Sequence, residues 1–318
     1  MWYRVDAGEV TETEQVTALI SDGARLGFRV LMVPAFAPDD NPNYVSEVMS
    51  RANRRDIRIL VDISSASLAA QGRPPMTMDL AGEIIPEWFA KGARGVDLGE
   101  ELLAVHGHHT HAGLEIAPLL GLVEILDPEA LVTIGLKGDD RESLLEHLHD
   151  DFLHLVRTNS LGQVVLTPEN FGERLAAVYE LQDAVGAIPA FTISHEALDG
   201  ASGRLSPSGV LLVTLALSGV VSLERGVMDR SPSSRHALRI RDAYFLARSS
   251  VALDEGLAGR GVLSMYCGSV QVIMNFGWDS YVLPDAEVLV SSLITLPEED
   301  GKLVLPSGEV AWLAVTVP

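Results

Sequence analysis

Short apolar runs alternating with amphipathic stretches, over and over along most of the chain, restrict its fold more than any other feature. Trp2–Asp6, Phe28–Val33, Ile57–Ile63, Gly95–Leu98, Leu131–Leu136, Phe152–Val156, Ile188–Ile193 and Val220–Leu223 each read as a buried strand, too short and too apolar for a surface helix. Between them lie helical segments with recognisable starts. Thr11 and Glu14 form a capping-box pattern ahead of a helix over Glu12–Leu26. Asn43–Arg55 places Val45, Val48 and Met49 at helical spacing, and Ala81–Ala90 precedes the fourth strand. Asp139 with Glu142 opens a helix to about His149, and Thr167-Pro168 and Ser206-Pro207 open two more. Residues 64–80 read as irregular, and Arg239–Leu253 as the last helix of this region. Eight βα units in series imply a parallel sheet closed into a barrel.

From Gly261 the pattern changes to Val-, Leu- and Ile-rich runs broken by Gly, Pro, Asp and Ser, with no helical period. That is the signature of a small antiparallel domain. The expected architecture is α/β, a (β/α)8 barrel over 1–258 and a C-terminal β domain over 259–318.

With 23 basic and 44 acidic residues the net charge is -21, which opposes binding to nucleic acids or to anionic membranes. A lone cysteine, Cys267, allows no intrachain disulfide, and Met1–Val10 carries acids early without an apolar core of signal-peptide length. The longest apolar run, Gly209–Leu223, is interrupted by Thr214 and Ser218 and is short for a membrane span. The expectation is a cytoplasmic protein.

In such barrels chemistry sits where strands end. The segment Gly95–Leu103 reads as a strand that stops at Gly99 and turns through Glu100 and Glu101, which puts Asp97 and Gly99 at the centre of any site. Several other segments fit the same plan: VDISSAS at 61–67, GVDLG at 95–99, LVTIG at 131–135, AFTISHE at 190–196, VLLVTLALSGVVSLERG at 210–226 and QVIMNFGWDSYVLP at 271–284. In order and spacing these segments resemble the strand-end motifs of the α-amylase superfamily of glycoside hydrolases, with a much-reduced insertion after the third strand.

The resemblance implies a retaining mechanism but also its loss. Asp62 matches the family's first aspartate, a largely structural and substrate-ordering residue. The family's Asn and His fall on Ala66 and Ser67, its arginine on Asp97, its nucleophilic aspartate on Gly99 and its acid/base glutamate on Ile134. His195 is kept, Ser194 stands for an asparagine, and Glu196 for the aspartate that stabilises the transition state. Such chemistry needs two carboxyl groups about 5 Å apart. Glycine and isoleucine supply neither, so the resemblance implies a catalytically inactive member serving as a carbohydrate-binding, regulatory or partner subunit.

Two enzymatic alternatives remain at this level. Asp97, Glu196 and His195 could act as relocated acids of an α-glucoside hydrolase or transglycosidase, with Asp62 and Glu100 contacting substrate. His106, His108, His109 and His111 could bind zinc and support a metal-assisted hydrolase, with Glu100 or Glu101 completing the set. A barrel mouth short of covering loops would offer an apolar patch of roughly 500 Å² to a partner or a second copy. Trp278 reads as a hairpin residue in preference to a sugar-stacking platform.

Overall fold

A computed structural model describes residues 1–101, 110–111, 114–136, 153–162, 165–201, 203–254, 256 and 261–315. Eight parallel strands close a barrel: β1 (Trp2–Arg4), β2 (Val30–Pro34), β3 (Arg58–Asp62), β4 (Gly95–Glu101), β7 (Leu131–Leu136), β8 (Leu155–Thr158), β9 (Ala190–Ile193) and β10 (Val220–Glu224), with β10 returning to β1. Between β4 and β7 lies a minimal hairpin, β5 (Thr110–His111) with β6 (Leu114–Glu115). The strands expected from sequence are all present and neighbour one another in chain order. The chain divides into two compact units, Met1–Thr158 with Ser222–Arg225, and Asn159–Val221 with Gly226–Pro318.

In the first unit, α1 (Thr13–Leu26) buries Val16, Ile20 and Gly23 on one face. Its start lies one residue beyond the expected capping box. Glu12 is the cap, and the side-chain oxygen of Gln15 accepts from the backbone N–H groups of Thr11 and Glu12. The helix ends at Gly27 in the left-handed region, whose N–H returns to the Ala24 carbonyl. Helix α2 (Tyr44–Asn53) follows β2 as expected.

The stretch read as irregular contains α3 (Ser65–Ala70), where the hydroxyl of Ser64 accepts from the Ser67 N–H at 3.1 Å. It also holds the start of α4 (Met78–Ala90), capped by Thr77. Small polar residues hid both beginnings, because a cap needs only an oxygen at the right φ/ψ. Strand β4 does not stop at Gly99; it bulges between Asp97 and Glu100 and continues to Glu101. Helix α5 (Ile116–Leu126) then leads to β7. The expected helix at Asp139–His149 lies outside the described residues.

In the second unit, α6 (Pro168–Ala184) starts as expected, Thr167 and Asn170 exchanging side-chain and backbone hydrogen bonds at 3.3 and 2.8 Å. After β9 comes α7 (His195–Ala201). Helix α8 (Pro207–Ala216) is buried at every residue from Gly209 onward, so it is enclosed on all sides. Pro207 begins it and Ser206 caps it.

The helix expected over Arg239–Leu253 is corrected. It is α9 (Ser234–Ala243), broken by Phe245 at φ 54, and Val251–Asp254 is an edge strand, β11, paired antiparallel with β12 (Val262–Cys267). The pairing partner decides there, not the local spacing. The sheet continues through β13 (Val270–Asn275), β18 (Val310–Ala314) and β15 (Val288–Ser291), and a smaller one joins β14 (Tyr281–Val282), β17 (Lys302–Leu305) and β16 (Glu298–Glu299). The antiparallel C-terminal domain is therefore present.

Candidate functional site

The last residue of β1, the last of β3 and the middle of β4, β7 and β8 bring five side chains together inside the barrel: Arg4, Asp62, Asp97, Thr133 and Arg157. Arg4 donates to Asp62 Oδ2 through Nε at 3.2 Å and Nη2 at 3.0 Å. Its Nη2 also lies 3.3 Å from Asp97 Oδ2. From the opposite side Arg157 Nη2 donates to Asp97 Oδ1 at 2.6 Å, and Thr133 Oγ1 bridges the pair, donating to Asp97 at 2.8 Å and accepting from Arg157 at 2.7 Å. Arg4 keeps 18% of its side chain exposed; Asp62, Asp97 and Arg157 keep 2% or less.

Two cations thus meet two anions. Burial alone would raise the Asp97 pKa, but the guanidiniums of Arg157 and Arg4, with the Thr133 hydroxyl, outweigh it and hold the carboxyl below its ordinary range. A buried carboxylate held this way is a poor proton donor, and its oxygens are spent on cations instead of facing a substrate.

Gly99 belongs to the same interior. A Cβ placed on it would stand 2.3 Å from Ser64 Cβ and 3.1 Å from Arg4 Nη2, and its φ of +85° strains any residue with a side chain. Ser64 is fixed there because its N–H donates to Asp62 Oδ1 at 2.9 Å while its hydroxyl caps α3. A side chain at this position would meet Ser64 and Arg4.

Ile134 requires a correction. Side chains alternate along a strand, and Thr133 points inward to Asp97 and Arg157, so Ile134 faces the barrel exterior. The inward positions of β7 are Thr133 and Gly135, and no residue of Leu131–Leu136 carries a carboxyl.

His195 and Glu196 open α7 in the second unit. His195 is half-buried, with Nε2 3.1 Å from where a Cβ on Gly226 would stand, and Glu196 is exposed. Glu100 lies in β4 by its backbone. His106, His108 and His109 lie outside the described residues, and His111 is described only as backbone in β5. Among the described residues no group of three His, Cys, Asp or Glu is arranged to hold a metal ion.

A cavity of about 250 Å³ is lined by Leu120, Val123, Glu124, Asp127, Val132 and His154 among others. It adjoins residues at the N-terminal ends of β7 and β8, the end of a barrel where stability resides instead of chemistry.

Arg4 and Arg157 were not singled out from sequence. The signal was available: a lone arginine within WYR and LVR, each otherwise strand-like and apolar, needs a buried acid. Asp62 and Asp97 were the acids within reach.

An eight-stranded parallel barrel followed by an antiparallel sheet decides the architecture. The chain has the fold of the α-amylases. The α-amylase of Geobacillus thermoleovorans, in a structure complexed with acarbose, superposes with a TM-score of 0.63 at 12% identity, covering 99% of this chain and 98% of that one. Trehalose-6-phosphate hydrolase of Bacillus licheniformis gives 0.61 at 11%, covering 99% of each chain. An α-amylase of Malbranchea cinnamomea gives 0.62 at 10%, covering 99% and 96%. No family model and no curated protein matches the sequence. At such identities the α-amylase likeness is one of fold, and what the chain does rests on its own residues. Among the described residues no helix is long and apolar enough to cross a membrane.

Proposed function

We propose that this chain is a non-catalytic protein on the α-amylase fold, serving as a carbohydrate-binding, regulatory or partner subunit. The observation that carries this reading is the closed charge account inside the barrel. Asp97 is wholly buried between Arg157 and Arg4, Asp62 is bound by Arg4, and the position of an attacking group is Gly99, packed against Ser64. A glycosidase needs one carboxyl free to attack or activate water and another ready to give a proton. Neither condition is met by carboxylates neutralised in this way. A cytoplasmic setting belongs to the same reading, supported by a single, buried cysteine.

The test is turnover of p-nitrophenyl α-glucoside and of maltooligosaccharides by the purified chain. The expected rate equals background and is unchanged in Asp97→Asn. Turnover that persists through repurification and disappears in Asp97→Asn or in Glu196→Gln would replace this reading with relocated acid catalysis. Sedimentation across a concentration range checks the partner role, for which self-association is the expected form; a monomer at every concentration would leave carbohydrate binding to carry the function.

A further inference from the structure

Of the four tryptophans, Trp2, Trp88 and Trp312 are buried, whereas Trp278 is 85% exposed. An exposed indole is unremarkable on a loose loop, but the turn that carries this one is pinned. Asn275, fully buried, donates through its amide nitrogen to the carbonyls of Asp279 at 2.9 Å and Leu305 at 2.8 Å. Its amide oxygen accepts from the Gly277 N–H at 2.9 Å. Ser307 donates from its hydroxyl to the Gly277 carbonyl. Over one face of the indole lies the Arg204 guanidinium, 5.7 Å from the ring centroid. A flat ring is thus held outward with a cation on one side, at little ordering cost to anything that lands on the other.

The chemistry of that surface narrows its ligand. An indole face is the negative end of the ring quadrupole and attracts positively polarised groups, including C–H bonds on carbons that bear oxygen. Arg204 offers donors only, and Asp279, exposed in the same turn, offers acceptors only. A pyranose ring matches all three, with a C–H face for the indole and hydroxyls at its rim that both donate and accept. Nucleobases would stack as well, but a polyanion meets the net charge of -21.

We propose that Trp278 and Arg204 form a stacking platform for a neutral saccharide. This rests on the carbohydrate-binding side of the function proposed above. It assigns the contact to Trp278 of the C-terminal β domain and to Arg204, and not to Arg4, Asp62, Asp97 and Arg157, which pair with one another.

The test is tryptophan emission and acrylamide quenching of the full chain titrated with maltotriose and, separately, with cellotriose. Because the other three indoles are buried, a saturable change in the exposed emission component reports Trp278. The expected result is saturation with at least one sugar at millimolar concentration, as suits a single stacked ring, with protection from acrylamide. Binding followed by calorimetry should weaken about tenfold or more in Trp278→Ala, by less in Trp278→Tyr, and about threefold in Arg204→Ala. Exposure of Trp278 makes loss of folding in these variants easy to exclude by circular dichroism. No saturable change with either sugar in the parent chain overturns the proposal, as does calorimetric binding that is undiminished in Trp278→Ala. The non-catalytic reading fails on a different measurement. A chain that turns over α-glucosides and still loses sugar binding in Trp278→Ala keeps the platform and drops that reading.

Discussion

Two arginines are buried in opposite company. Arg157, inside the barrel, points at a carboxylate, Asp97, and shares it with Arg4. Arg241, on α9, meets no carboxylate among the contacts described for it; its guanidinium donates to the carbonyls of Leu215, Leu217 and Gly219, where α8 ends and the chain turns toward β10. Burial lowers the Arg241 pKa to about 10, which leaves it a cation near neutrality. At the other end of α8, Glu309 accepts from the capping hydroxyl of Ser206 at 3.2 Å. An acid near the N-terminus and a base at the C-terminus complement the helix dipole, which is a structural use of charge. The charges in the barrel answer chiefly one another, although Asp62 also accepts from the Ser64 N–H at the start of α3. They occupy the place where the fold positions chemistry, and each is there because another is.

That difference can be broken by deletion, and this is the largest effect expected. Arg157→Met takes from a buried carboxylate the nearer of its two cations and should cost about 3–5 kcal/mol in urea unfolding. Arg241→Met leaves carbonyls without donors and should cost about 2–3 kcal/mol. The comparison sharpens with a second change. Asp97→Leu combined with Arg157→Met removes both partners and should recover most of the loss, because a buried pair is replaceable by apolar residues of similar size. No single partner change can rescue Arg241→Met, since its partners are backbone. An Arg157→Met loss smaller than that of Arg241→Met would mean that the barrel charges are not mutually dependent.

Acid should separate the two regions next, by a smaller amount. The Asp97 pKa in the folded chain lies below its ordinary value, so its contribution to stability is complete above the unfolded pKa of about 4 and fades as pH falls through the folded value. Protonation removes the anion but leaves the pocket filled, so the loss should be less than that of deleting Arg157. Stability measured from pH 7 down to pH 2 should show a falling acid limb that Asp97→Asn flattens and Arg241→Met leaves unchanged. An acid limb equally steep in Asp97→Asn would assign it to other carboxylates.

How much of this was legible in the sequence follows the same line between local and distant causes. The barrel strands are apolar runs that announce themselves, and Thr167-Pro168 states a helix start in two residues. The ends of elements set by distant pairing do not show. Nothing within Ser250–Asp254 says that Cys267 to Ser264 will lie beside it, and the bulge in β4 shows only in its register with β7. At the site, Asp62 was legible as the end of its strand, and Asp97 and Gly99 as polar and glycine breaks in an apolar run, although β4 continues past them to Glu101. The locking role of Arg4 and Arg157 was not, since residues 58 and 60 positions away supply their partners. The inward register of β7 was likewise invisible until Thr133 met Asp97, which places the neighbouring Ile134 on the other face of the strand.

The smallest effect belongs to ion pairs on the surface, and it measures how far burial makes the barrel pairs matter. Arg29 and Asp56 lie 3.7 Å apart, with 69% and 97% of their side chains exposed. Water screens both charges whether or not they meet, and holding two mobile groups together costs rotamer entropy. Asp56 also sits at φ 53, a conformation Asp and Asn tolerate, so the right replacement is Asn and not Ala. A double-mutant cycle with Arg29→Gln and Asp56→Asn should give a coupling below about 0.5 kcal/mol that vanishes in molar salt. The same cycle on Arg157 and Asp97 should give several times that value and change little with salt, because counterions cannot enter a site with 1% and 0% exposure. Equal couplings, or a barrel pair that salt weakens as easily as the surface pair, would mean that water reaches the barrel interior, and the Asp97 carboxylate would then be open to substrate as well.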